Sequence, residues 1–292
     1  MDTSIPSAVR PVSARSSDLK VKVLTPTIGA EISGIDLRLA LPDQQRDEIK
    51  RLILEHRVVF FRDQNLSSEQ QIALARRFGK IYIHPLTKDK DGQGGGAAQD
   101  AVSSHRISAE RDRKLRPFTS GRWHTDTSWL VRPAWGALLR AVDIPAAGGD
   151  TMWANGHAVY ESLSAELKEK IEDLYVIHDF QKSLKRLEIT YPTVAHPLAR
   201  PHPVTGKKVL FINFAQSPYI VGLDRADSKA LVAELLKAYS QPEFHVRFKW
   251  SPGALAFWDN GAALHYPVID YGDYPREMER VLIEDFDALP HY

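Results

Sequence analysis

The chain has 292 residues, ordinary fractions of hydrophobic and charged side chains, and a formal net charge of +1. This length allows one large domain or two small ones, and the near-neutral charge supplies no long-range field that would favour nucleic acid or an anionic membrane. The sequence contains no cysteine, which excludes disulfides, thiolate nucleophiles, iron–sulfur clusters and cysteine-ligated zinc. A bound metal must therefore be held by His, Asp or Glu.

Residues 1–19 are rich in Ser, Pro and Arg, a composition typical of a flexible tail. They lack the apolar core of a signal peptide. No stretch of the chain approaches the ~18 consecutive apolar residues that a membrane-spanning helix needs. We therefore expect a cytoplasmic enzyme or binding protein.

The first third of the sequence predicts two helices among short strands. Residues 19–35 alternate and are broken by Gly, which predicts short strands. Residues 42–55 have helical spacing, residues 58–61 form a short apolar run that predicts a buried strand, and residues 69–79 predict a second helix that ends at a glycine. The side chains expected to face inward are Ile49, Leu52, Ile53, Ile72, Ala75 and Phe78.

Residues 88–120 have a Gly cluster, many charges and few large apolar side chains, which is typical of either a disordered segment or a functional lid. After this segment, helices are predicted near 163–174 and 227–239. Between and around them, short apolar strands recur. The predicted fold is mainly β with helical additions (α+β), a β-sandwich or jelly-roll core. The strand-like segments are WHTDTSWLV, WGALLRAVDI, KKVLFIN, ALAFWDN and RVLIEDF.

The tetrapeptide Trp123-His124-Thr125-Asp126 contains two potential metal ligands. Side chains two apart in a strand leave the same face, so His124 and Asp126 could share one small metal ion. A third ligand from elsewhere would complete the facial triad of two histidines and one carboxylate, which leaves positions open and suits Fe(II) oxygenases. The His-x-Asp pattern alone has low specificity. Among the remaining histidines, His265 is the best candidate because it follows a strand-like segment.

Two arginines follow His265. Arg276 and Arg280 would share one face of a strand, and two guanidiniums beside a metal site call for anions to neutralise them. The alternative is a pair of solvated arginines balanced by Glu277 and Glu279. Upstream, the turn Gly148–Thr151 places a hydroxyl that could donate to a ligand carboxylate or only cap the turn.

Together these features resemble the taurine/2,4-dichlorophenoxyacetate (TauD/TfdA) dioxygenase family over residues 20–287. The resemblance implies a double-stranded β-helix, with a single domain over 20–292 after the tail at 1–19. It further implies Fe(II), 2-oxoglutarate and O2 as cofactors, and hydroxylation of a small organic molecule with release of succinate and CO2. The strings that carry the resemblance are GAEISGIDL, HRVVFFRDQNLSSEQQIALARRFG, WHTD, GGDTMWAN, HPVTGKKVLFIN and WDNGAALH.

Carried over by position, the resemblance makes His124, Asp126 and His265 the iron ligands. Thr151 and Arg276 become the partners of the distal 2-oxoglutarate carboxylate, and Arg280 lies close by and is shared with the substrate. The substrate contacts that it implies are His84, Ser120, Phe180, Gln216 and Arg280.

Some substrate positions depart from the taurine pattern. Thr87, Ser120 and Gln216 stand where taurine enzymes have Tyr, Asn and Phe. His84 keeps the position of the histidine that grips the sulfonate, although it could be a structural histidine. The position that binds the anion is kept, whereas the positions around the rest of the substrate differ. We therefore expect an anionic substrate other than taurine, such as a bulkier sulfonate, a sulfate ester or a carboxylate.

Two other classes stay open on the residues alone. A metal-dependent hydrolase could use the same three ligands around zinc, but it would leave Arg276 and Thr151 unexplained. A catalytically inactive binding module could share the fold. The expected partner is a small molecule rather than nucleic acid or a membrane. Members of the family are often dimers or tetramers, so a homo-oligomer is also expected.

Overall fold

The computed structural model describes residues 19–83, 122–180 and 192–284, which form fifteen strands and five α-helices. The helices are α1 Asp43–His56, α2 Ser68–Arg76, α3 Gly156–Ser162, α4 Ala165–Ile171 and α5 Arg225–Tyr239. The strands are β1 Lys20–Val23, β2 Ala30–Ser33, β3 Val58–Phe61, β4 Ile81–Tyr82, β5 Gly136–Asp143, β6 Thr151–Asn155, β7 Tyr175–Ile177, β8 Ala195–Pro197, β9 Ala199–Pro201, β10 Lys208–Leu210, β11 Tyr219–Ile220, β12 His245–Phe248, β13 Leu255–Asp259, β14 Ala263–Pro267 and β15 Glu277–Ile283.

The largest sheet has seven strands in the order β1-β2-β3-β13-β5-β15-β4. Its central strand, β13, pairs antiparallel with β3 and β5, and β2 pairs parallel with β3. A second sheet has the order β12-β6-β14, and two smaller sheets have the orders β11-β7-β8 and β10-β9. The described residues are therefore rich in sheet with a few helices, as the sequence predicts.

The two main sheets enclose an aromatic core. Phe60 of β3 stacks on Phe248 of β12, with ring centroids 4.1 Å apart, and meets Trp153 of β6 edge-on at 5.2 Å. All five residues of β13 are buried because this strand is covered on both faces, which explains why its first four residues are a continuous apolar run rather than an alternating one.

Helices cover the outer faces of these sheets. The inward residues predicted for α1 and α2 are all buried in one cluster with the outer face of the large sheet. Ser67 caps the N-terminus of helix α2 in a capping box that Gln70 completes. On the other side, α3 and α5 join a second apolar cluster with residues of β6 and β14.

The helix and strand predictions have mixed outcomes. The helices near 42–55, 69–79 and 227–239 are confirmed as α1, α2 and α5. The predicted helix near 163–174 is confirmed as the shorter α4, while α3, which starts at Gly156, was not predicted. No helix among the described residues is long and apolar enough to cross a bilayer.

The predicted strand WHTDTSWLV is wrong. Only His124 forms an isolated β-bridge, to His265, and the chain then turns through residues 126–129. Thr127 takes a positive φ of 56°, which a strand cannot accommodate. The turn lets the chain leave the sheet directly after the His-x-Asp pattern.

Candidate metal centre

Three side chains that could hold a metal ion converge between the sheets. His124, Asp126 and His265 each offer one ligand atom, and these atoms all lie within 4.8 Å of one another. This is the one such group of three among the residues that the structure describes. The structure thus brings together the three residues named from the sequence, although His124 and Asp126 are not on a regular strand.

The two histidines are placed by their own backbones. The N–H of His124 donates to the carbonyl of His265 at 3.0 Å, and the N–H of His265 donates back at 2.8 Å. His265 also lies on β14, whose register pairs it with Trp153 of β6. As a result the two imidazole rings lie next to each other, with centroids 3.9 Å apart and planes tilted by 45°.

The Asp126 carboxylate is held by an arginine. Nη1 of Arg280 donates to Oδ1 at 2.6 Å and to Oδ2 at 2.7 Å. Nε2 of His265 lies 4.0 Å from Oδ2, too far for a hydrogen bond. A carboxylate oxygen has more than one lone pair. Asp126 can therefore bind a metal while it keeps its contact with Arg280.

The electrostatics of the site favour neutral imidazoles. Burial is the main cause that lowers the pKa of His124, and burial together with the neighbouring His124 and Arg280 lowers the pKa of His265 well below its usual value. Metal ligation requires a neutral ring with a free lone pair. Nδ1 of His124 hydrogen-bonds the carbonyl of Arg122 at 2.9 Å, which leaves Nε2 for a metal. The donor set thus fits a divalent ion such as Fe(II).

A hydroxyl, that of Thr151, lies at the start of β6, and a buried arginine, Arg276, directly precedes β15. Arg276 is 3% exposed, and its Nε donates to the carbonyl of Gly149 at 3.1 Å. Gly149 has a φ of 72°, and a Cβ there would lie 3.2 Å from the Arg276 side chain. Thr151 is buried, and its Oγ1 accepts from the Trp250 indole at 3.0 Å. The interpretation of Arg276 as a solvated arginine is therefore wrong.

That Arg276 and Arg280 share one face stays a prediction. Arg276 precedes β15, and the register shift between Glu277 and Met278 skips Val142 of β5 rather than a residue of β15. Glu279, proposed as a surface counter-charge, is buried on the opposite face, where it binds Arg140. Arg280 nevertheless points toward the metal centre through its contact with Asp126.

The predicted substrate residues are described in part. Phe180 stacks on Trp129, with ring centroids 5.1 Å apart and planes 15° from parallel. The carbonyl of Gln216 accepts from the backbone N–H of Asp179 at 2.8 Å, so Gln216 lies beside Phe180. His84, Ser120 and the candidate lid at 88–120 lie outside the described residues.

A buried polar network beneath the turn was missed by sequence reasoning. Nε2 of His178 accepts from the N–H of Asn213 at 2.9 Å, and its Nδ1 lies 3.3 Å from the carbonyl of Ser128. Asn213 donates to the carbonyl of Thr125 at 2.8 Å, and His196 hydrogen-bonds the carbonyl of Leu130 at 3.0 Å. These contacts fix the segment that follows the metal ligands. The sequence places an asparagine, Asn213, directly after the strand segment KKVLFI. At such a position a side-chain amide can make the hydrogen bonds that a neighbouring strand would otherwise make.

Comparison with known proteins agrees with this geometry. The model of the family described as "Taurine catabolism dioxygenase TauD, TfdA family" matches residues 20–282. An alkylsulfatase of Acinetobacter baylyi is 32% identical, with 92% of this chain and 86% of the relative covered. An alpha-ketoglutarate-dependent sulfate ester dioxygenase of Pseudomonas putida is 31% identical, with 91% and 89% covered. The crystal structure of a taurine dioxygenase from Burkholderia xenovorans superposes with a TM-score of 0.77 at 36% identity, covering 91% of this chain and 90% of that one.

The buried histidines generate a pH prediction. Burial is the main cause that lowers the pKa of His178 to about 3 and of His196 to about 4, from a usual value of 6.5. Between pH 6.5 and these lowered pKa values, the two histidines are protonated in the unfolded chain but neutral in the folded chain. Each histidine should therefore cost about 1.4 kcal/mol of unfolding free energy per pH unit as the pH falls below 6.5.

Urea unfolding of the wild type and His196→Gln at a series of pH values checks this prediction. Glutamine keeps an N–H donor for the Leu130 carbonyl but does not titrate, and the carboxylates titrate alike in both proteins. The stability of His196→Gln should fall less steeply below pH 6.5, by about 1.4 kcal/mol per unit. Equal slopes for the two proteins would contradict a neutral, buried His196.

Proposed function

The chain belongs to the TauD/TfdA family of dioxygenases, which use Fe(II), 2-oxoglutarate and O2, and we propose that it oxidises an organic sulfate ester or sulfonate with an apolar body. The observation that carries this proposal is the contact of Arg280 with the carboxylate of a metal-binding triad. A stacked aromatic pair, Trp129–Phe180, begins three residues after Asp126. The family supports the dioxygenase interpretation over a metal-dependent hydrolase.

The proposed iron ligands are His124, Asp126 and His265. Their support is the convergence of their ligand atoms within 4.8 Å and the lowered pKa values of both histidines. Bound Fe(II), with its co-substrate, supplies the activation of O2 and the oxidation of an aliphatic C–H bond, with succinate and CO2 as co-products. The protein positions the ligands and keeps the site dry.

Arg276 and Thr151 are the proposed partners of the distal 2-oxoglutarate carboxylate, with Arg280 nearby. Arg276 is buried beside the start of β6, where its Nε donates to the carbonyl of Gly149. The Oγ1 of Thr151 already accepts from Trp250, so its hydroxyl proton is left to donate to a carboxylate. A planar guanidinium binds carboxylates with two parallel hydrogen bonds.

The proposed substrate lies between Arg280 and the aromatic pair Trp129–Phe180. Arg280 would be shared between Asp126 and the anionic end of the substrate, together with His84 and Ser120 from outside the described residues. Phe180 and Gln216 would contact the far end. A stacked aromatic pair offers apolar surface. A substrate with an apolar body therefore fits better than the short, zwitterionic taurine.

Oxidation of a sulfate ester leads to cleavage. Hydroxylation of the carbon that bears the ester oxygen gives a hemiacetal-like product, which collapses to an aldehyde and inorganic sulfate. One O2 is consumed: one of its oxygen atoms enters this product and the other enters succinate. For a sulfonate, hydroxylation of the carbon that bears sulfur releases sulfite in the same way.

We also infer the finer architecture from the family. The large sheet and the β12-β6-β14 sheet would be the two halves of a double-stranded β-helix (jelly roll). Residues 20–292 would form a single domain after a tail at 1–19, and the chain would assemble as a dimer or tetramer. The aromatic core shared by both sheets supports the first of these inferences.

Removal of Arg276 tests the co-substrate site. Losing a charge-assisted pair in a dry site costs about 2–5 kcal/mol, so Arg276→Ala should raise the 2-oxoglutarate KM by about a hundredfold or more. Arg62→Ala is the control, because Arg62 is a half-exposed arginine that pairs with Glu31. If the KM is unchanged in Arg276→Ala but rises in Arg280→Ala, the two arginines have been assigned the wrong way round.

A substrate panel tests the proposed function. Succinate formation is measured with hexyl sulfate, hexanesulfonate, taurine, phenoxyacetate and the neutral hexanol. Hexyl sulfate or hexanesulfonate should exceed hexanol by about tenfold or more, since an anion pairs with a buried guanidinium, and should release sulfate or sulfite in proportion to succinate. Preference for phenoxyacetate would move the substrate class to carboxylates, and preference for taurine or hexanol would contradict the proposal.

A further inference from the structure

A buried asparagine occupies the turn between β13 and β14. Asn260 is 1% exposed, and its Oδ1 accepts from the N–H of Asp126 at 2.9 Å. Its Nδ2 donates to the carbonyl of Asp126 at 2.9 Å and to the carbonyl of Ala134 at 2.8 Å. One side chain therefore holds both backbone groups of the carboxylate ligand and the far end of the loop that begins there.

The backbone of Asn260 also hydrogen-bonds the two ends of this loop, next to Asp126 and next to Ala134. Its N–H donates to the carbonyl of Trp135 at 2.7 Å, and its carbonyl accepts from Oγ1 of Thr125 at 2.6 Å. The chain at Asp126 has left the sheet and has no strand partner on this side. Asn260 thus supplies the hydrogen bonds that a neighbouring strand would otherwise make.

Asp259, the residue before Asn260, contacts a histidine from a different part of the chain, His202. Oδ1 of Asp259 accepts from the N–H of Gly261 at 3.1 Å, and Oδ2 lies 3.0 Å from Nε2 of His202. Nδ1 of His202 accepts backbone N–H groups from Val204 and Thr205. Nε2 therefore carries the ring N–H and lies next to the Asp259 carboxylate, which links the turn to the β9–β10 hairpin.

Asp259 is charged although no part of it is exposed to solvent. Burial raises the pKa of its carboxyl, but His202 and then Arg57 outweigh burial and hold the pKa below its usual value. Nη1 of Arg57 lies 4.0 Å from Oδ2, and the backbone carbonyl of Arg57 accepts from the N–H of Asp259 at 2.9 Å. The turn is thereby fixed on the side that faces away from Asp126.

We propose that Asn260 is a positioning residue that sets the place of the Asp126 carboxylate, and that His202 fixes Asn260 through Asp259. The proposal rests on the proposed metal centre, because it assigns a role relative to Asp126. Arg280 orients the carboxylate end of Asp126, and Asn260 fixes its backbone. Residues that orient metal ligands from behind typically change metal affinity by about 10–100-fold when they are removed.

Asn260→Asp is the decisive variant. It keeps the shape of the side chain but removes both N–H donors and places a carboxylate against the carbonyls of Asp126 and Ala134. The dissociation constant for Co(II) is measured on the metal-free protein under anaerobic conditions, from the visible absorption of bound Co(II). We expect it to rise by about tenfold to a hundredfold.

Gln64→Glu is the matched control. Gln64 is also a buried amide: its Oε1 accepts the N–H of Leu37 at 2.8 Å, and its Nε2 donates to the carbonyls of Arg62 and Ile35. It has the same pattern of bonds, but none of them involves the triad. Both variants should lose unfolding free energy in urea, while only Asn260→Asp should lose Co(II) affinity.

A second pair of variants tests the link through Asp259 and also serves if Asn260→Asp does not fold. His202→Leu removes the donor to Asp259 and should raise the Co(II) dissociation constant, by less than Asn260→Asp does. His202→Gln restores an N–H donor and should recover most of the affinity. Equal affinities for the wild type and His202→Leu would overturn the role of His202.

The possible results distinguish a failure of the positioning role of Asn260 from a failure of the proposed metal centre. Unchanged Co(II) affinity in Asn260→Asp, or an equal loss in Gln64→Glu, would overturn the positioning role and leave the triad intact. If His265→Ala binds Co(II) as tightly as the wild type, the metal centre is wrong and the positioning role fails with it.

Discussion

His124 and His265 exchange both of their backbone hydrogen bonds, and this pairing decides where everything else in the site can lie. Strand β14 brings His265 between the two main sheets, and the bridge then holds His124 against it although His124 belongs to no regular strand. The chain can turn away at once, which places Asp126 beside both rings. Without the bridge, His124 would lose the backbone contact that holds it against His265.

A second feature of this arrangement is a pair of arginines near the metal centre. Arg280 binds the Asp126 carboxylate, and Arg276 is buried next to the start of β6. A bound divalent cation would add positive charge to the site. A dicarboxylate co-substrate and an anionic substrate would both offset that added charge, which agrees with the proposed chemistry.

Much of the site could be predicted because its residues lie in short motifs that resemble those of a known family, although the His-x-Asp motif and His265 are far apart in the chain. The helical periodicity of α1 and α2 and the apolar runs of β3 and β13 also identified their elements. The prediction of a strand through Asp126 failed because a left-handed turn at Thr127, held by Asn260 and Asn213, overrides the local pattern. Asn260 was visible in WDN, but the partners of its amide are more than a hundred residues away, and a local reading cannot reveal them.

The central claim is that His124, Asp126 and His265 hold the iron to which 2-oxoglutarate binds. The most direct measurement is the weak visible charge-transfer band that forms when Fe(II) and 2-oxoglutarate are added anaerobically. The wild type and His56→Ala, which alters a histidine at the end of α1, should both give the band, and His265→Ala should not. A band of full intensity in His265→Ala would contradict the account.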